Sequence, residues 1–339
     1  MTFSRIKPPR LIPGSSRIGV VCPGWSADMI DPQLWQNAVD KLKGKGFEVV
    51  EGQYTRTRLG HSTGTVLQRT DDLMKMFEDR SIRAIMAGLG GSSSHQLLPN
   101  LDYETIRRNP KIFIGFSDIT ALSLAIYAKT GLVTFNGPVF STFCQPELPE
   151  YTEECFDAVI IEGRERIVIK PSATWAEDFW FLKENFGPRE WKKNDGWIVY
   201  KPGKAQGIAI GGEISTLLLL AGTEYMPRFD GAILFLEGSS GYTIGEIDRY
   251  FTHLRQLGVY EKIRALIVGR FPSEIGFTND DSLEMILREA TKGYDFPIVS
   301  GVDFSHTDPL ITIPMGILCR LDTTKQNIIY LEASVSESI

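Results

Sequence analysis

Two rhythms of apolar and polar positions alternate along the first part of the chain. RIGVVCP, FEVVEGQ, IRAIMAG and KIFIGF are short apolar runs that predict strands. Between them, PQLWQNAVDKLKGKG and TVLQRTDDLMKMFED repeat apolar residues at helical spacing, and the first ends in glycine. Short helices are expected around HQLLPNL and YETIRRN, and another after Ser117. Strands separated by helices imply a parallel sheet covered on both faces. Ligands bind such sheets beyond the carboxyl ends of the strands. GLGGSSS, residues 88–94, and Ser117 both fall at such ends.

After LVTFNGPVF the pattern changes. CQPELPEYTEECFDAVIIEGRERIVIKPS predicts one helix and a strand. TWAEDFWFLKENFGPREWKKNDGW then carries Trp175, Trp180, Trp191 and Trp197, four of the six tryptophans. The remainder returns to α/β alternation: GAILFLEG, RALIVGRF and PIVSGVDF as strands, EIDRYFTHLRQLG and SLEMILREATKG as helices. With 339 residues, two domains are expected. The reading is an N-terminal parallel-sheet domain of flavodoxin-like or Rossmann-like type at 1–165. A tryptophan-rich connection at 166–200 leads to a second α/β domain at 201–339.

Charge and composition narrow the partners. A net charge of −6 argues against nucleic acid, which demands clustered excess Lys and Arg. No apolar run reaches the roughly 18 residues of a membrane span. The N-terminal stretch lacks the apolar core and cleavage site of a signal peptide. Cys22, Cys144, Cys155 and Cys319 have no metal-ligand spacing. They read as buried free thiols in a reducing, cytoplasmic compartment. No metal and no cofactor is expected.

Ser117 stands where an apolar strand runs into a helix. It is either an N-cap, satisfying free amides of the first turn, or a nucleophile on a sharp strand-to-helix turn. A nucleophile needs a base, and only four histidines exist. His253 lies mid-helix, and His61 and His95 lie in polar loops. His306 follows the strand PIVSGVDF at its carboxyl end, where an imidazole can accept a hydroxyl proton if a carboxylate orients it. Glu237 ends the strand AILFLEG, and a carboxylate there must meet something polar. Gly90 and Gly91 let backbone amides approach a ligand closely, as an oxyanion hole or as a phosphate loop. A two-domain binding protein using the same cleft without chemistry stays open. A glutamine-amidotransferase-like enzyme would need cysteine at Ser117.

GLGGSSSHQLLPNLDY, IGFSDIT, GGEISTLLLLAGTEY, GAILFLEG and GVDFSHTDPLITIPMG, in that order, resemble the LD-carboxypeptidase family of serine peptidases, which includes the microcin C self-immunity proteins. The resemblance runs from about residue 17 to the end. It implies Ser117 as nucleophile, His306 as base, Glu237 as the acid that holds it, and an oxyanion hole from the amides of Gly91 and Asp118. It also implies a dimer. Two activities belong to the family: removal of D-alanine from murein tetrapeptides, and cleavage of the amide joining a peptidyl or aminoacyl carboxyl to a nucleotide-like group. The tryptophan-bearing segment resembles the second branch. Trp180, then Trp175, is expected to stack a nucleobase, the alternative being a domain-interface anchor. Gly90 and Glu213 are further expected substrate contacts. The family usually has Asn where Glu213 stands, and GLGGSSS replaces its commoner Gly-Gly-Tyr pattern.

Overall fold

The computed structural model describes residues 4–183 and 186–337, so residues 184–185 of the tryptophan-bearing segment lie outside it, as do the two chain ends. Five parallel strands build the first sheet: Arg17–Val21, Glu48–Glu51, Ile82–Ala87, Ile112–Gly115 and Thr134–Asn136. In space they run second, first, third, fourth, fifth. That is the flavodoxin-like order, in which the crevice opens where the order reverses, between the first and third strands. Ile112–Gly115 is buried throughout, as an apolar run covered on both faces must be. The helices form where their periodicity and caps place them. Asp31 caps Pro32–Gly44, and Thr65 with Gln68 forms a capping box on Val66–Glu78.

Eight strands build the second sheet, in the order Ile198–Lys201, Ile298–Val302, Ala265–Gly269, Ala232–Glu237, Lys204–Glu213, Leu318–Asp322, Asn327–Tyr330 and Ile167–Ile169. Its four-strand centre, from Ile298–Val302 to Lys204–Glu213, is parallel, and the flanks are antiparallel. Four of these strands are additions to the sequence reading: Ile198–Lys201, Lys204–Glu213, Leu318–Asp322 and Asn327–Tyr330. In the first sheet Thr134–Asn136 is likewise an addition, and so is Ile313–Met315, which pairs antiparallel with it from the far end of the chain.

Lys204–Glu213 escapes notice because three glycines dilute its apolar pattern. All three are required by close approach, Gly207 against the Gly231 carbonyl oxygen. A Cβ on Gly211 would lie 1.7 Å from the Phe235 carbonyl oxygen, and one on Gly212 would lie 2.5 Å from Thr120 Oγ1. The Glu213 amide donates to the same Thr120 hydroxyl at 3.0 Å. Thr120 opens the helix that follows Ser117, so the end of this strand docks the second sheet onto the first beside the nucleophile candidate.

All four cysteines are free and buried, and burial pushes the Cys22, Cys144 and Cys155 thiols up to about 12. Among the described residues no helix is long and apolar enough to cross a membrane.

Candidate active site

The strand Ile112–Gly115 ends in a turn too tight for a side chain at its last residue: a Cβ on Gly115 would lie 2.8 Å from Ile119 Cγ2. Ser117 then adopts a left-handed backbone, φ 61°. Serine pays for that conformation in strain, which persists where surrounding structure over-determines it. A single 3₁₀ turn, Ser117–Ile119, leads into the helix Thr120–Thr130. The Ser117 hydroxyl does not cap that helix. Its Oγ lies 3.0 Å from His306 Nε2.

His306 sits in the loop beyond Ile298–Val302, its ring edge-on to Phe116 with centroids 5.2 Å apart. Its other nitrogen, Nδ1, lies 2.9 Å from Glu237 Oε2. Glu237 ends Ala232–Glu237 and is wholly buried. Glycine at 269 permits this packing, since a Cβ there would lie 2.8 Å from Glu237 Cβ and 3.0 Å from Ser305 Cβ. Three strand ends from two sheets thus bring together residues 189 and 69 positions apart in the chain.

The electrostatics follow from burial and from two carboxylates. Burial would lower the imidazole of His306, but Glu237, with Glu213 behind it and the Gly238 backbone, lifts it above its ordinary value. Glu213 is the register partner of Glu237 on the neighbouring strand. Both of its oxygens are taken. It accepts from the amides of Ser215 and Thr216 at 3.1 and 2.8 Å, from their hydroxyls at 2.8 and 2.7 Å, and from the Tyr242 hydroxyl. Glu213 is therefore the N-cap of Ile214–Leu218 as well as a neighbour of the Glu237–His306 pair.

The glycine loop meets the same point. A Cβ on Gly90 would lie 3.1 Å from Ser117 Cβ and 3.8 Å from the Asp118 nitrogen. Gly91 has φ 146°, and a Cβ on it would lie 2.7 Å from the Trp25 nitrogen. The Asp118 carboxylate braces this loop by accepting from the Ser93 and Ser94 amides at 3.0 and 2.9 Å. Buried Arg69 completes the brace, donating to the Ser93 carbonyl and hydroxyl, both at 3.1 Å, and to Gln96 at 2.7 Å. Sequence reasoning missed Arg69, which is masked by its place inside an amphipathic helix.

The remaining candidates make other contacts. His61 and His253 are exposed. Trp175 is contacted by two cations, with Lys192 Nζ 4.7 Å and Arg270 Cζ 4.6 Å from its ring. Trp180 is 8% exposed and packs into a core cluster shared with Trp197. Among the described residues no group of three or more His, Cys, Asp or Glu is placed to hold a metal ion.

Residues 18–137 match the LD-carboxypeptidase N-terminal domain, and residues 206–321 match the LD-carboxypeptidase C-terminal domain. The chain belongs to the LD-carboxypeptidase family. A putative carboxypeptidase of Treponema pallidum is 35% identical, with 96% of each chain covered. The microcin C7 self-immunity protein MccF of Escherichia coli is 35% identical over 88% of each. A probable murein peptide carboxypeptidase of Bacillus subtilis is 28% identical over 99% of this chain and 97% of its own. Among solved structures, MccF in complex with aspartyl sulfamoyl adenosine superposes with a TM-score of 0.90 at 32% identity, covering 98% of this chain and all of that one. This LD-carboxypeptidase-family enzyme therefore has the fold and the family that its motif order implies.

Proposed function

We propose that this enzyme hydrolyses the amide joining an aminoacyl or peptidyl carboxyl to a nucleotide-like group, with Ser117, His306 and Glu237 as a catalytic triad. The observation that carries the reading is the unbroken hydrogen-bond chain from the Ser117 hydroxyl through His306 to buried Glu237, at 3.0 and 2.9 Å. His306 Nε2 takes the Ser117 proton as Oγ attacks the carbonyl carbon. The amides of Gly91 and Asp118 hold the oxyanion. As the tetrahedral species collapses, the imidazolium gives its proton to the leaving nitrogen, and the acyl group stays on Ser117. Water then attacks the ester, His306 takes its proton, and the acid departs as the serine hydroxyl is restored. Glu237 fixes the ring so that Nδ1 carries hydrogen, and balances the imidazolium charge.

The nucleotide preference is supported by the likeness to MccF bound to an aminoacyl sulfamoyl nucleoside. A second reading, cleavage of a murein tetrapeptide, is favoured by the Bacillus subtilis relative. Paired assays on an aminoacyl sulfamoyl adenosine and a murein tetrapeptide decide between them. A higher kcat/KM on the nucleoside supports the first reading, and the reverse order replaces it with the second.

The pH profile has a defined sign. His306 must be neutral to accept a proton, so activity rises with pH through its titration. Because its imidazole is lifted, the acidic limb should lie above the ordinary value near 6.5. Replacing Glu213 by Gln removes one of the negative charges that lift it, so Glu213→Gln should move the limb to lower pH. A limb that stays in place, or moves upward, contradicts this electrostatic account.

Trp180 is assigned the nucleobase contact ahead of Trp175, whose ring is already faced by two cations. Trp180 gives up part of its packing to stack a base. Trp180→Ala should accordingly cost about 1 kcal/mol of nucleoside binding, the lower end for base stacking, or about fivefold. Hydrolysis of peptides without a base should be unchanged. Equal losses on both substrates with a fallen melting temperature would return Trp180 to a purely structural role.

A further inference from the structure

The loop that carries His306 is fastened on both sides of the histidine by the tryptophan-bearing segment. Before it, the Asp303 carboxylate accepts from the Ser172 amide and hydroxyl, both at 3.0 Å, and from Arg270 Nη2 at 3.0 Å. After it, Asp308 exchanges two backbone hydrogen bonds with Ala176, both 2.8 Å. The Asp308 carboxylate then meets Arg189 Nη1 at 2.8 Å and Gln145 Nε2 at 3.3 Å.

Arg189 is the hub of this fastening. Its Nε lies 3.1 and 3.2 Å from the two oxygens of Asp178, and its Nη1 also donates to Gln145 Oε1 at 2.5 Å. The side chains of Arg189, Asp178 and Asp308 are 10%, 7% and 15% exposed, so these pairs are screened far less than surface ion pairs. A guanidinium suits the place because its planar fork serves two carboxylates and an amide at fixed angles. Only Thr307 separates Asp308 from His306, and the imidazole must hold Ser117 on one side and Glu237 on the other.

We propose that Arg189 is a positioning residue: through Asp308 it sets the place of the His306 ring between Ser117 and Glu237. It also ties that ring to the segment bearing Trp175 and Trp180. The inference rests on the role proposed above for His306.

Arg189→Met and Arg189→Lys test it. A misplacement on the scale of an ångström costs up to about 100-fold in rate, so Arg189→Met should lower kcat about 10- to 100-fold. KM for the small peptide substrate should stay within about threefold, because ground-state contacts are untouched. Arg189→Lys, which keeps the charge on Asp308 but not the fork, should recover part of the loss. A second readout needs no substrate: the low-field NMR resonance of the His306 Nδ1 proton, hydrogen-bonded to Glu237. It should shift upfield and exchange faster with water in Arg189→Met. Should that variant fail to fold, Asp308→Asn carries the same expectations. Folded variants with wild-type kcat and an unmoved resonance overturn the proposal, as does a loss of kcat that tracks melting temperature while the resonance stays in place. A shifted resonance in a protein that hydrolyses neither substrate would instead uphold the positioning and defeat the reaction assignment.

Discussion

Ser117→Ala is expected to fold as the wild type does and to lose hydrolysis by about three to six orders of magnitude. The two effects separate because the hydroxyl does one thing in the resting protein. It makes the single 3.0 Å bond to His306 and caps no helix amide. Removing a hydrogen bond of that kind costs about 1 kcal/mol of stability. The backbone strain at φ 61° is unchanged, since alanine is no more at home there than serine. Melting curves and turnover on the aminoacyl sulfamoyl adenosine, measured side by side, check both halves. Turnover within tenfold of wild type would remove Ser117 from the mechanism.

Glu237→Gln should cost about 10⁴-fold in kcat, the loss seen when the acid of such a triad becomes an amide. Two physical reasons combine. The amide carries no charge to balance an imidazolium, and its NH₂ group can hold the imidazole in the wrong tautomer. Stability should move the other way or not at all. Glu237 is wholly buried, and burial raises its carboxyl above the ordinary range against the pull of His306. An uncharged side chain of the same shape escapes that desolvation. A variant with near-normal kcat, or one that loses activity only in step with its melting temperature, would show that Glu237 supports the fold rather than the chemistry.

Much of the first sheet is legible in the sequence because its central strands are buried on both faces and read as apolar runs. Ile112–Gly115 is unbroken, and Ile82–Ala87 is interrupted only by Arg83. The second sheet is only half legible. Ala232–Glu237 announces itself, while its neighbour Lys204–Glu213 is obscured by the glycines that let the two strands and Thr120 close together. The antiparallel strands near the C-terminus mix apolar with charged positions, as in LCRLD, and have no helix between them to mark their limits.

For the site, position was legible and direction was not. Ser117 at a strand end is a matter of pattern, but only its left-handed backbone turns the hydroxyl away from the helix and toward His306. The pairing of His306 with Glu237 came from motif order, since nothing local joins residues 69 positions apart. Arg189 and Asp308 are separated by 119 positions, and an arginine in a polar loop looks like any other. Trp180 shows the opposite limit. Aromatic residues in an irregular segment suggest an open stacking surface, yet the chain folds this indole to 8% exposure.

Every step of the proposed reaction passes through Ser117. A fluorophosphonate, which phosphonylates only a serine activated by a neighbouring base and oxyanion donors, tests that directly. Treated enzyme, digested and mapped by mass spectrometry, should carry one adduct on Ser117. The extent of labelling should match the loss of hydrolysis, and a bound aminoacyl sulfamoyl adenosine should slow it. Full activity in protein labelled at Ser117, or inactivation with the adduct elsewhere and Ser117 unmodified, would contradict it.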